Sequence, residues 1–129
     1  MKSDTLDVLI VTALAEERAW VQRCLGGTWE DVSLSGMIFQ VATREFGKKT
    51  LKVGIITQLF MGMPHAAVTT TRAIAVWDPK LVVMTGICAG VEGKVEIGDL
   101  VIASQTFDYG SGKLIEGRLH PHLTPIAPV

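Results

Sequence analysis

The sequence lacks an excess of charge of either sign and has no long apolar run. Twelve lysines and arginines stand against thirteen aspartates and glutamates, which gives a net charge of −1 over 129 residues. Without a basic excess, we predict neither nucleic acid nor an anionic membrane as a partner. No apolar run approaches the ~20 residues that a membrane-spanning helix needs, so no membrane association is predicted.

Cysteine is also scarce. Cys24 and Cys88 are the only two, they lie far apart, and they form no CxxC pair. This pattern predicts reduced thiols in a cytosolic protein. Asp4 and Asp7 interrupt the first residues, so no secretory signal peptide is expected. Together these features predict a cytoplasmic location.

The apolar content, by contrast, is that of a packed protein. Hydrophobic residues make up 48% of the chain, and its length suits one domain with a core of its own. We predict that this domain covers residues 1–118. Residues 119–129 hold three prolines and no periodicity, which predicts a Pro-rich extended tail.

Strand and helix patterns alternate along the first two thirds of the chain. Asp7–Val11 is an apolar run that predicts a strand, and Ala15–Leu25 has helical spacing of its apolar residues. Three alternating runs between residues 32 and 56 predict an antiparallel meander. A second helix is expected over His65–Trp77, after Pro64. Such a sequence of elements predicts an α/β fold.

The stretch from Leu81 to Ser104 is the centre of the predicted fold. Leu81–Met84 contains no polar residue, which predicts a strand buried on both faces. Gly86 and Gly90 allow a sharp turn whose backbone N–H groups could face an anion or a polar small molecule. Asp99–Ser104 is predicted to be a further strand. We expect these strands and Asp7–Val11 in one mixed sheet flanked by the two helices.

Four stretches, in matching order and spacing, resemble the nucleoside phosphorylase and nucleosidase superfamily. The similarity is to the N-terminal half of methylthioadenosine/S-adenosylhomocysteine nucleosidase-like domains. The resemblance implies an α/β fold with a mixed central sheet flanked by helices, of which the chain supplies the N-terminal half only. The four stretches are Val8–Glu17, Gly62–Ala67, Thr85–Val91 and Val95–Ala103.

The resemblance also implies site residues. Glu17 matches the family's water-activating glutamate, although a carboxylate in the first turn of a helix can serve only to stabilise the positive helix end. In the family, the half of the domain beyond the match supplies an acidic ribose ligand and the aspartate that protonates the departing purine. The positions that match substrate-binding residues are Ala13, Gly62, Ile87, Cys88, Ala89 and Gly90.

Two substitutions favour hydrolysis over phosphorolysis. Met84 and Ile87 stand where the phosphorylases have a phosphate-binding arginine and serine, and neither side chain binds an anion. The implied reaction is cleavage of purine nucleosides by water, with no cofactor or metal, in a homodimer or higher homo-oligomer. His120 and His122 have no third ligand in view, so no metal site is predicted.

Two other functions stay open at the level of sequence. A nucleoside-sensing or signalling module would keep the glycine-rich turn and bind a nucleoside without turnover. A dinucleotide-binding unit is the other alternative, but the first strand-to-helix turn, Thr12-Ala13-Leu14, lacks the GxGxxG pattern. Base release, binding without release, and NAD binding would distinguish the three.

Overall fold

The computed structural model describes residues 5–108, 110, 112–122 and 125–126. The chain divides into two compact units, one ending at Cys88 and the other beginning at Ala89. Each is described by itself. The domain organisation predicted from sequence, residues 1–118 followed by a tail, stays a prediction.

The first unit is built on a five-stranded mixed sheet in the order β2-β3-β4-β1-β5. The central strand β1 pairs in parallel with β4 and β5, while β2, β3 and β4 form an antiparallel meander. The predicted mixed sheet and meander are therefore confirmed. The elements are β1 (Val8–Thr12), α1 (Ala15–Leu25), β2 (Glu30–Leu34), β3 (Met37–Phe46), β4 (Lys49–Thr57), α2 (Met63–Trp77) and β5 (Leu81–Met84).

The two helices cover opposite faces of this sheet, because successive side chains of a strand point to opposite sides. Leu9 and Val11 of β1 belong to the cluster that includes Trp77 of α2. Ile10, between them, belongs to the cluster on which Leu25 of α1 packs. The alternating apolar residues of β1 are thus the reason that both helices can pack on one strand.

The helix boundaries follow the capping chemistry of the sequence. The helix α1 has the predicted bounds and ends at Gly26, whose φ of 66° suits glycine. The helix α2 begins at Met63, two residues before the predicted His65, and Pro64 lies in its first turn. Asp78 closes α2 in the left-handed conformation, with φ of 44°.

The prediction that Leu81–Met84 is buried on both faces is wrong. This segment, β5, is the edge strand of the sheet, and β1 is its only partner among the described residues. Leu81 is 52% exposed and Met84 is 59% exposed. A short apolar run indicates a strand, but its burial depends on a second neighbouring strand and a covering layer, which its own residues do not specify.

The second unit contains a two-stranded hairpin, β6 (Gly112–Ile115) and β7 (Arg118–Pro121). Leu119–Pro121, at the start of the predicted Pro-rich extended tail, belong to β7 and pair with residues of β6 despite the proline. A bridge joins Thr106 and Ile126. The last residues of the predicted tail, 127–129, lie outside the described residues.

The predicted strand Asp99–Ser104 is also wrong. These residues form no strand, and no described residue pairs with them in a ladder. Leu100 and Ile102 are each more than 80% exposed. Their apolar pattern alone is insufficient, because a strand requires a partner for its backbone hydrogen bonds. In the described part of the chain, neither helix is long and apolar enough to cross a membrane.

Packing between the meander and α2 should account for a large part of the stability of the first unit. Phe39 is fully buried, and its ring meets the Trp77 ring edge-to-face at a centroid distance of 5.6 Å. We expect Phe39→Ala to lower the free energy of unfolding by about 3–5 kcal/mol in urea denaturation, because it leaves a cavity.

The neighbouring Ile38 is the matched control, since it is 60% exposed on the opposite face of β3. Ile38→Ala should change the free energy of unfolding by less than about 0.5 kcal/mol. Equal losses for the two variants would contradict the assignment of the core.

Candidate functional site

The site is assembled at the carboxyl ends of β1 and β5, where the chain leaves the sheet. After β1 the backbone turns through Ala13 and Leu14 into α1. Leu14 is the residue that caps α1, and its side chain has no oxygen to bind the first N–H groups of the helix. Glu17, in the first turn, instead reaches back with its carboxylate to the backbone N–H groups of Ala13 and Leu14, which precede the helix.

Three backbone N–H groups donate to the Glu17 carboxylate. Those of Ala13 and Leu14 each donate to Oε2 at 2.9 Å. The N–H of Ile87, which follows β5 in the sequence, donates to Oε1 at 3.1 Å. The carboxylate therefore joins the segments that follow two neighbouring parallel strands.

Gly86 makes this approach possible. A Cβ atom built on Gly86 would lie 2.6 Å from Glu17 Oε1, so any side chain at this position would push the Glu17 carboxylate out of its place. Because Glu17 and the glycine-rich turn each follow a strand of one sheet, the sequence predicts that they lie close together. This proximity is confirmed at Gly86 and Ile87. The requirement for glycine here comes from space, since Gly86 does not have a positive φ.

Burial and hydrogen bonding act in opposite directions on Glu17, which is only 9% exposed. Burial is the largest single influence and raises the pKa of its carboxyl group. The N–H donors of Ile87, Leu14 and Ala13 together outweigh it, so the pKa lies below the ordinary value for glutamate. Glu17 is therefore ionised at neutral pH.

The geometry leaves one acceptor position on this carboxylate. An ionised carboxylate has about four lone-pair positions, two on each oxygen. Two donors occupy Oε2 and one occupies Oε1. The remaining lone pair of Oε1 can accept a hydrogen bond from a water molecule or a hydroxyl group.

Glu17 lies in the wall of a cavity of about 530 Å³, a volume within the usual range for small-molecule sites. Trp20 lies three residues after Glu17 on α1 and also lines the cavity, as does Val83 of β5. The walls are mostly apolar, and Glu16 and Glu17 are the only charged side chains among the described residues that form them. The other lining residues are Val8, Ile10, Leu14, Val21, Cys24, Leu25, Thr85, Gly86 and Ile87.

The structure brings together only some of the predicted site residues. Ala13 and Ile87 meet at Glu17, and their N–H groups are engaged there. Gly62 caps the start of α2 with φ of 113° and does not line this cavity. Cys88 ends the first unit with an exposed free thiol.

Ala89 and Gly90 belong to the second unit, where both are exposed. The binding roles of all these residues stay predictions. The N–H of Leu14 and the cavity residues Trp20 and Val83 were not predicted from the sequence. Helical spacing from Glu17 could have indicated Trp20, since residues three apart share a helix face.

The described residues contain no group of three histidine, cysteine, aspartate or glutamate side chains that could hold a metal ion.

The family can now be assigned from sequence comparison. Residues 7–128 match the family model of the Phosphorylase superfamily. The chain belongs to this superfamily. It is 41% identical over 113 residues to the uncharacterized protein y4jS of Sinorhizobium fredii, covering 85% of this chain and 27% of that protein. It is 30% identical over 114 residues to the 5′-methylthioadenosine/S-adenosylhomocysteine nucleosidase of Haemophilus influenzae, covering 81% of this chain and 47% of that enzyme.

Solved structures agree on the fold. A Helicobacter pylori MTAN mutant with 5′-methylthioadenosine in its active site superposes with a TM-score of 0.74 at 19% identity. The match covers 96% of this chain and 53% of that one. The superfamily chain described here therefore spans about half the length, or less, of the relatives it matches.

The hydrogen bonds to Glu17 make a prediction for stability against pH. A carboxyl group whose pKa is lowered by folding stabilises the fold above its unfolded pKa, and this contribution is lost as pH falls through the folded pKa. Glu17→Gln should therefore cost about 1–3 kcal/mol at neutral pH, because a buried set of charge-assisted hydrogen bonds is lost. The difference from the unsubstituted chain should shrink as the pH is lowered, in urea denaturation at a series of pH values.

Glu16→Gln is the matched control, because Glu16 is the exposed neighbour in the same first turn of α1. Its effect should be limited to the helix-end interaction, at about 0.3–1 kcal/mol. A loss for Glu17→Gln that stays constant down to low pH would be evidence against an ionised, hydrogen-bonded Glu17.

Proposed function

We propose that this chain takes part in cleaving the N-glycosidic bond of purine nucleosides by water, with Glu17 holding the attacking water. The observation that carries the proposal is the buried, ionised Glu17 in a cavity wall, with one acceptor position left on Oε1. The name of the Haemophilus influenzae relative, a nucleosidase for 5′-methylthioadenosine and S-adenosylhomocysteine, supports the same reaction class.

The chemistry of the bond explains why such a carboxylate is useful. Cleavage of a glycosidic bond passes through a state in which the sugar carries positive charge. The negative charge of Glu17 would stabilise that state, and Oε1 would accept a hydrogen bond from the water as it attacks. The lowered pKa makes Glu17 a weak base, so orientation and charge stabilisation contribute more than early proton removal.

Water is favoured over phosphate as the nucleophile. The cavity of Glu17 is lined by two carboxylates and no cation, and Ile87 contributes no hydroxyl group there. A phosphate dianion beside Glu17 would therefore meet repulsion without a compensating partner. Water has no such electrostatic penalty.

The leaving purine needs a positioned acid, and neither carboxylate among the described residues of this cavity is placed for that role. Glu17 is committed to the water, and Glu16, the other lining carboxylate, is exposed at the helix start. By family resemblance, the acid comes from the half of the domain that lies beyond the match. We therefore propose that the 129-residue chain by itself turns over slowly, since one positioned acid contributes about a hundred- to ten-thousand-fold in rate.

A purine-release assay tests the proposal, with methylthioadenosine, S-adenosylhomocysteine, adenosine and inosine as substrates. The chain should bind at least one of these nucleosides and release its base slowly. Glu17→Gln should lower that release by a further hundredfold or more, while Glu16→Gln should leave it within a factor of three. Absence of both binding and release for all four would refute the proposal, and fast release by the short chain would refute the need for a second acid.

A nucleoside-sensing module without turnover is the second candidate. It is favoured by the three backbone N–H groups on Glu17, because a carboxylate so engaged can serve as a structural connection between the ends of β1 and β5. The same assay separates the two functions. Nucleoside binding with no base release, in the chain and in Glu17→Gln alike, would support the sensor.

We further propose that the chain forms a homodimer or higher homo-oligomer in the cytoplasm. The segment from Leu59 to Met63 and the start of α2 expose a contiguous run of apolar side chains, and such surfaces tend to associate. The exposed residues are Leu59 at 81%, Phe60 at 61%, Met61 at 67%, Met63 at 58% and Val68 at 58%.

Light scattering at a series of concentrations tests the assembly. The chain should show a mass of at least two copies, and Phe60→Ser with Met61→Ser should shift it toward one copy because both side chains are exposed and apolar. Leu114→Ser with Ile115→Ser, on the exposed hairpin strand β6, is the matched control and should leave the mass unchanged. A monodisperse monomer of the unsubstituted chain over a wide concentration range would contradict the proposal.

A further inference from the structure

A second cavity, of about 570 Å³, lies beside the first turn of α1 and contains two arginines. Arg18 of α1 and Arg72 of α2 both line it. Glu17 lines the first cavity and Arg18, the next residue, lines the second. Successive residues of a helix point about 100° apart, so the first turn of α1 contributes to both cavities at once.

The charges of the two cavities are opposite in sign. The first is lined by Glu16 and Glu17 and by no cation. The second is lined by two guanidinium groups against one carboxylate, that of Asp31. The carboxylate of Asp31 accepts a hydrogen bond from Gln40 Nε2 at 3.1 Å. An anionic group is therefore favoured in the second cavity and disfavoured in the first.

Both arginines have guanidinium N–H groups that are available to donate hydrogen bonds to a ligand. Within the part of the chain that the structure describes, the Arg18 side chain makes no hydrogen bond or ion pair. Arg72 donates from Nη2 to the carbonyl oxygen of Ser35 at 2.8 Å, which anchors it and leaves its other N–H groups available. A planar guanidinium group matches the geometry of phosphate oxygens.

Gln58 connects this cavity to the strand that leads to Glu17. It is 6% exposed and lines the cavity, and its Oε1 is buried without a partner among the described residues. Its backbone N–H donates to the carbonyl oxygen of Thr12 at 2.9 Å. Thr12 precedes Ala13, whose N–H binds Glu17. The backbone at Gln58, in the wall of the second cavity, is thus hydrogen-bonded to the end of the strand that leads to Glu17.

We propose that the second cavity binds the phosphate groups of a 5′-phosphorylated nucleoside whose ribose lies against Glu17. The inference rests on the proposed function for the position of the nucleoside. It assigns Arg18 and Arg72 to recognition of the 5′ substituent. The substrate class is then a nucleotide, with the neutral nucleoside portion in the apolar first cavity and the charged chain between α1 and α2.

Titration calorimetry of the full chain with adenosine, adenosine 5′-triphosphate and inorganic tripolyphosphate tests this assignment. The triphosphate should bind at least tenfold more tightly than adenosine, and this gain should shrink as salt is raised. It should also bind more tightly than tripolyphosphate, because one molecule then occupies two linked sites. In the double variant Arg18→Gln, Arg72→Gln, the triphosphate should bind less than twofold more tightly than adenosine.

Two further variants separate recognition from folding. Arg118→Gln removes an arginine from the hairpin strand β7 and should leave the gain intact. Arg72→Lys keeps the charge and should retain part of the gain in affinity, whereas the single variant Arg72→Gln removes the charge and should lose more of it. Equal losses for the two variants would contradict recognition of the phosphates by charge. Circular dichroism on each variant checks that the sheet is preserved.

The outcomes for the inference and for the proposed function are distinct. Equal affinity for adenosine and its triphosphate would overturn the inference and leave nucleoside cleavage standing. Tripolyphosphate binding that is lost in the double variant would support the arginine cavity as an anion site even if adenosine were neither bound nor cleaved. Tripolyphosphate binding as tightly as the triphosphate would overturn the placement of the ribose against Glu17.

Discussion

The three backbone N–H groups on the Glu17 carboxylate are the constraint on which the site depends. Two of them precede α1, which has no capping side chain at Leu14, and the third brings Ile87 to the end of β1. Without these donors, burial alone would raise the pKa of this carboxyl group above its ordinary value. Backbone N–H groups that follow β1 and β5 thus keep Glu17 negatively charged, as the proposed reaction requires.

The fold was predictable where the residues of one segment determine its local structure by themselves. The bounds of α1 follow from apolar spacing and from Gly26, and the meander follows from alternation between short turns. Burial of β5 was not predictable in the same way. Its four apolar residues indicate a strand, but whether a second strand covers its outer edge depends on other parts of a chain.

The site was predictable only in part, for a related reason. Resemblance identified Glu17 and the turn at Gly86, and parallel strands ending at one edge implied their proximity. Leu14 and Arg18 were not predictable in this way. Leu14 contributes its backbone N–H, and Arg18 contributes a side chain that lines a cavity together with residues of α2. Neither a backbone donor nor a cavity has a sequence motif of its own, so both required coordinates.

The distribution of the tryptophans gives the protein a built-in optical probe. Trp77 is packed against Phe39 in the core, and Trp29 donates its indole N–H to the carbonyl oxygen of Gly26 at 3.1 Å. Only Trp20, which is 61% exposed with the Arg23 guanidinium 5.2 Å from its ring centre, lines the cavity of Glu17. Emission from the two packed indoles provides an internal reference, while that of Trp20 responds to whatever enters the cavity, without any label.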